Sequence, residues 1–329
     1  MHLSVNTDWS LRGLRTVVLE NRCLRVVVIP ELGAKIYQIT YKPLDADLLW
    51  NNPRAAPERL SMNSRYDDVW CGGWDELFPN DEAASIDGEA YPDHGEVWTG
   101  NWRSEPFGTG DEVGVRLTYW TPISGIVIEK TLRLRRDAAQ IEFEHVLRTP
   151  GTAAFAFLWK LHPAFAVTPQ HRLDFPAMRV RLEPAFPGTL ASAPPSFDWP
   201  SAATPEGLLD LRLVPAPSSR QLVFFYGTEL QAGWCALTNI ASRLACGLVF
   251  DPAVFPTCWL FASYGGWRGH EVAVLEPCTG YPLNFDAMRA AGRQRTLEPG
   301  GELRTLVKFV VQEGISAVTR IDPDGRIVQ

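Results

Sequence analysis

Residues 113–147, VGVRLTYWTPISGIVIEKTLRLRRDAAQIEFEHVL, decide the fold class. Within them Val113–Tyr119, Ile126–Leu134 and Ile141–Leu147 alternate apolar and polar residues with a period of two. Successive strand side chains point to opposite faces, so this alternation describes strands with one face buried and one wet, as in antiparallel sheets. Arg136-Asp-Ala-Ala139 supplies the turn between the last two. The pattern extends outward in both directions. Thr16–Leu19 and Leu24–Ile29 read as a hairpin about Glu20-Asn21-Arg22, and Ala34–Tyr41 as a further strand. Downstream come Leu222–Tyr226, Gly233–Thr238, Leu244–Phe250, Cys258–Ser263, a strand beginning near Val272, and Leu303–Val311, with a turn at Asp322-Pro-Asp-Gly325. Thr152–Leu161 is more uniformly apolar and reads as a central strand that delivers His162 at its end. Helical patterning is confined to Ala287–Arg293 and the vicinity of Arg59, and Pro184–Pro217 reads as a long surface excursion. The expectation is an all-β protein, one large antiparallel β-sandwich spanning residues 1–329 as a single domain.

The bulk numbers narrow the partners. Of 329 residues, 46% are hydrophobic and 21% charged, enough for a large core. A formal charge of -7 argues against nucleic acid, which needs a basic face. The six cysteines include no C-x-x-C pair, so buried thiols in a reducing compartment are expected. The N-terminus has no signal-like pattern and no apolar run reaches membrane length, which points to the cytoplasm. Gly108-Thr-Gly110 lacks the further glycine of a dinucleotide loop, and no Walker, G-x-S-x-G or H-E-x-x-H motif is present. Asp67, Asp68, Asp75 and Glu76 are calcium-type ligands without the fixed spacing of a calcium loop. Neither cofactor nor metal is expected.

Met62–Trp102 breaks the strand pattern. It carries four Trp, the pair Gly72-Gly73, and His94 ahead of Gly95, without sustained apolar periodicity. Long irregular segments in compact proteins are usually functional or disordered, and aromatic richness argues against disorder. The stretch is therefore predicted to be an ordered loop walling a pocket. Flat indoles beside oriented polar groups suit a small-molecule carbohydrate, whose ring is apolar on its C–H face and hydroxylated at its edge. Trp74, Trp98 and Trp159 are the candidate stacking residues. His94, His162 and Glu276 stand out as acid–base groups, because a polar group at the end of an apolar strand is paired, exposed or held for use.

The chain resembles the aldose 1-epimerase, or galactose mutarotase-like, superfamily as an outlying branch. The likeness runs through Val18–Ala34, Asn63-Ser-Arg65, Asp93-His-Gly95, Leu161-His-Pro-Ala-Phe165 and Leu275-Glu-Pro-Cys-Thr-Gly280, in the family's order. The resemblance implies a large β-supersandwich and an isomerase that interconverts sugar anomers. It also implies Glu276 as base, His162 as acid, His94 as a contact that binds and polarises the sugar, and Arg65 as a ring-hydroxyl contact; Asn63 and Asp75 are further candidate substrate-binding residues. Ser64 between Asn63 and Arg65, and Glu96 after Gly95, depart from the family pattern and bear on which sugar is bound. A non-catalytic sugar-binding protein and a glycoside-processing enzyme, which would need a second carboxylate such as Asp75 or Glu96, are the alternatives.

Overall fold

The alternating runs form antiparallel strands in the computed structural model, which describes residues 3–329. The α-helices among these residues are two short ones, Tyr66–Val69 and Phe285–Ala290, and no helix is long and apolar enough to cross a membrane. The chain forms two compact units: residues up to His162 with Thr279–Val307, and Pro163–Cys278 with Lys308–Gln329. It changes unit within the strands Lys160–Ala166 and Glu302–Glu313, and again after Cys278.

The first unit has two sheet layers. One runs Ser4–Asn6, Val17–Glu20, Leu24–Ile29, Lys35–Tyr41 and Trp74–Leu77 in that order. The other is the meander Arg103–Gly108, Glu112–Trp120, Val127–Arg135 and Gln140–Arg148. Asn21, fully buried in the first hairpin turn, ties the layers together. Its Nδ2 donates to the carbonyls of Arg135 (2.6 Å) and Ala138 (2.8 Å), and its Oδ1 accepts from the Cys23 and Leu24 amides. A buried amide with its bonds filled specifies one turn geometry, whereas an unfilled one would cost stability.

In the second unit, Glu271–Cys278, Thr257–Tyr264, Gln221–Thr228, Arg179–Leu182 and Ser196–Asp198 pair in sequence. Leu244–Phe250, Trp234–Asn239 and His171–Asp174 form a second set. Its core gathers Trp234, Ala236, Ala245, Val310, Ile315 and Ile327.

Four expectations need correction. Met62–Trp102 is not free of regular structure: Trp74–Leu77 is a wholly buried strand paired with Lys35–Tyr41, and Tyr66–Val69 is a helical turn. His162 and Glu276 lie inside strands, Lys160–Ala166 and Glu271–Cys278, rather than at strand ends. Pro163 and Pro277 mark no strand end here, since proline's fixed φ is compatible with extended backbone. No helix forms near Arg59, whose guanidinium is drawn to Glu31 at 3.1 Å. The Pro-rich excursion holds a hairpin, Ser201–Thr204 with Gly207–Asp210.

Between the layers of the first unit lies a buried polar network. Glu76 Oε1 meets Lys130 Nζ at 2.9 Å and His145 Nε2 at 3.0 Å, and Trp159 Nε1 donates to Glu76 Oε2 at 3.1 Å. Lys130 also donates to the Ala34 carbonyl. Burial alone would raise the Glu76 carboxyl, but the charges of Lys130 and His145 outweigh it and hold it well below the usual carboxylate range. The native state thus binds fewer protons than the unfolded chain below about pH 4.5, so this contribution is complete above that pH and declines as the pH falls. Lys130→Met is expected to lower unfolding free energy by about 3–5 kcal/mol, because one partner of a buried pair is left uncompensated. Equilibrium denaturation checks this. A loss below about 1 kcal/mol would mean that His145 and Trp159 suffice for Glu76.

Candidate functional site

The site begins with the alternation of one short strand. In Trp74–Leu77, neighbouring side chains leave on opposite faces. Trp74 packs on Phe143 (ring centroids 4.8 Å) and Glu76 reaches the Lys130 network, so both face the core between the layers. Asp75 therefore faces the other way. There its Oδ2 accepts from Lys35 Nζ at 2.6 Å and from the Tyr66 hydroxyl at 2.9 Å. Asp75 Oδ1 is buried with no hydrogen-bond partner among the described residues. Burial would strip Lys35 of its proton, yet the Asp75 charge keeps its pKa above the ordinary lysine value, so the pair is ionic.

Tyr66 is the hub. Delivered by the helical turn after Arg65, its hydroxyl also lies 3.2 Å from His162 Nδ1. Its ring stacks on the His94 imidazole, 3.9 Å between centroids and 5° from parallel, and the edge of Trp98 meets it at 4.8 Å. Trp70 packs edgewise on His162 at 5.6 Å, and the two imidazoles lie 6.4 Å apart, nearly perpendicular. His94 has a positive φ of 64°, its amide donates to the Asp81 carbonyl, and its Nδ1 lies 3.0 Å from Asp93 Oδ1. Asp81 in turn takes Lys160 Nζ at 2.6 Å. Burial pushes the His162 imidazole well below the usual histidine range, and the positive charges of Lys160, His94 and Lys35 add to the effect. At neutral pH His162 carries no charge.

Of the residues picked from sequence, His94, His162, Asp75 and Trp98 converge on Tyr66. Trp74 and Trp159 do not. Both are fully buried, against Phe143 and against His145 with Glu76, and Trp98 is equally buried with its edge against Tyr66, so none of the three offers an exposed face for stacking. Asn63 and Arg65 are exposed on the segment leading into the helix, and Arg65 pairs with Asp68 at 3.5 Å. Glu276 belongs to the second unit, buried opposite Trp259 across its strand pair. Glu96, a candidate second carboxylate, is buried and accepts the Ile123 and Ser124 amides, so it anchors a loop. Two of the four calcium-type carboxylates, Asp75 and Glu76, are each committed to a different lysine on a different face.

The arrangement of strands can now be set beside solved structures. A candidate aldose 1-epimerase from Klebsiella pneumoniae subsp. pneumoniae matches 95% of this chain and 83% of its own, with a TM-score of 0.74 at 14% identity. A galactose mutarotase-like protein from Clostridium acetobutylicum matches 94% of this chain and 99% of its own, with a TM-score of 0.68 at 10% identity. The chain has the galactose mutarotase-like β-sandwich fold. The Slr1438 protein of Synechocystis shares it, with a TM-score of 0.66 at 17% identity over 95% of this chain and 99% of that one. No family model matches the sequence, and no curated protein does.

Within this galactose mutarotase-like fold, sequence reasoning missed Tyr66 and Lys35. Tyr66 had one available signal, its place directly after Asn63-Ser-Arg65. Lys35, which follows the Gly33-Ala34 turn, had none.

The loop that presents His94 is clamped by its neighbour. Gly95 has φ +75°, and a Cβ there would lie 2.0 Å from the Phe78 carbonyl oxygen. Gly88 also has a positive φ, +92°, but meets nothing within 4 Å. Gly88→Ala is expected to cost about 1–2 kcal/mol of left-handed strain, and Gly95→Ala well beyond that, since backbone has to move. Thermal denaturation of both variants compares them, and equal losses would remove the clamp. His162 yields a second expectation, read by an NMR pH titration. Its resonances stay flat through about pH 6.5, where free histidine titrates. The native state holds fewer protons there than the unfolded chain, so the stability owed to His162 is whole above that pH and declines below it.

Proposed function

We propose that the protein is an aldose 1-epimerase-like isomerase, interconverting the α and β anomers of a sugar. The observation that carries this reading is the meeting of two imidazoles, His94 and His162, on the buried Tyr66, within a galactose mutarotase-like fold. The base is assigned by the sequence resemblance to Glu276. It takes the proton of the C1 hydroxyl while His162, acting from its imidazolium form, gives one to the ring oxygen, and the C1–O5 bond breaks. The C1–C2 bond rotates. Glu276 then returns its proton to the aldehyde oxygen as the C5 hydroxyl attacks the other face of C1 and yields its proton to His162. Each group ends as it began, so the cycle needs no further reactant. His94 orients the sugar through hydrogen bonds, and the partner is a small carbohydrate. We also read the two compact units as parts of one functional module.

NMR exchange spectroscopy between anomers, across free aldoses and sugar phosphates, tests the reading. One sugar is expected to exchange faster with the protein. Glu276→Gln and His162→Asn should each lower that acceleration by about 10²–10⁴-fold, the usual worth of a positioned acid or base. Because burial resists protonation of His162, acceleration should grow as the pH is lowered from about 8 to about 6 and imidazolium becomes more available. Binding without acceleration for every sugar would leave a carbohydrate-binding protein instead.

A further inference from the structure

The Tyr66 hydroxyl stands between two acceptors and has one proton to give. Asp75 Oδ2 lies at 2.9 Å and forms an ion pair with Lys35 at 2.6 Å, whereas His162 Nδ1 lies at 3.2 Å. A carboxylate is the stronger acceptor, and hydrogen bonds to a charged partner are shorter and stronger than neutral ones. Were the proton turned toward His162, the phenol oxygen would face a buried carboxylate oxygen at 2.9 Å with nothing between them. The proton therefore sits toward Asp75, and the phenol oxygen presents lone pairs to the imidazole. Nδ1 must then be the protonated nitrogen, since two lone pairs 3.2 Å apart in a buried site would repel.

We propose that Tyr66 is a positioning residue: held by Asp75, its hydroxyl locks His162 in the Nδ1–H tautomer and leaves Nε2 as the working nitrogen. The ring hydrogen bond fixes the role of the opposite nitrogen, as histidine tautomers generally do. A proton that enters or leaves His162 does so at Nε2, with a hydroxyl and a carboxylate lined up behind Nδ1. Lys35 belongs to the device because its ammonium pairs with the same Asp75 oxygen, at 2.6 Å, that accepts the Tyr66 hydroxyl. Stacking of Tyr66 on His94 holds the phenol plane, so one residue orients both imidazoles. As a statement about catalysis this rests on the isomerase reading. As a statement about the tautomer it does not, and the test uses that difference.

Long-range ¹H–¹⁵N correlation spectra of the ¹⁵N-labelled full-length protein, with His162 assigned by its loss in His162→Gln, report which ring nitrogen carries the proton. Wild type is expected to show a protonated Nδ1 and a bare Nε2, and Tyr66→Phe to shift the population toward Nε2–H. An Nε2–H tautomer in wild type overturns the proposal without any variant, and so does an unchanged tautomer in a folded Tyr66→Phe. Anomer exchange is measured on the same samples. A wild type with the Nδ1–H tautomer but no exchange for any sugar sinks the isomerase reading and leaves the positioning intact.

Discussion

Two adjacent carboxylates, Asp75 and Glu76, are buried on one four-residue strand, and each is neutralised by its own lysine on its own side of the sheet. A buried carboxylate without a partner is costly by many kcal/mol, so the strand can occupy its place only when both lysines are in position. Lys130 comes from the opposite layer and Lys35 from the neighbouring strand. One pair thereby registers the two layers of the first unit. The other fixes the carboxylate on which Tyr66 hangs. The core and the candidate site are thus the two faces of one strand, and a register slip of one residue would exchange them.

This coupling explains which features were legible. The meander of residues 103–148 alternates because one face is wet, and the strands around Leu24–Ile29 and Leu244–Phe250 carry enough β-branched and apolar residues to declare themselves. Trp74–Leu77 hid because its two carboxylates read as ligands in an irregular loop, and nothing local shows that Lys35 and Lys130 come to meet them. His94 and His162 were visible as isolated imidazoles next to glycine and proline. Their convergence on Tyr66 was not, because it joins residues 28 and 96 positions apart and depends on a four-residue helical turn without a side-chain cap. The indoles illustrate the opposite error. Trp74 and Trp159 suggested a binding wall by residue type, yet their bulk fills the interior, where large aromatics contribute most of their apolar area.

The environment of His162 is organised for control of one proton. Lysines 35 and 160 stand within electrostatic reach and disfavour the imidazolium, while Asp75, through Tyr66, would stabilise it. Opposed influences of this kind place a titrating group by design of the surroundings rather than by its intrinsic chemistry. Each lysine is also held by its own carboxylate, so the field at the imidazole is built from fixed charges.

The first unit is closed by residues that arrive late. Trp159 and Thr279 bond across 120 positions, and Arg148 and Glu302 across 154. During synthesis, a nascent chain that has already made its first hundred and fifty residues must therefore wait for more than a hundred others before those partners emerge from the ribosome. The strand Glu302–Glu313 lies beside Gln140–Arg148 in the sheet, and until it arrives the edge of the meander is an exposed row of unpaired backbone groups, the kind of surface on which chaperones act and neighbouring chains aggregate. Non-local closure also slows folding. A chain cut off before residue 302 would lack the strand Glu302–Glu313 and leave that edge open for good.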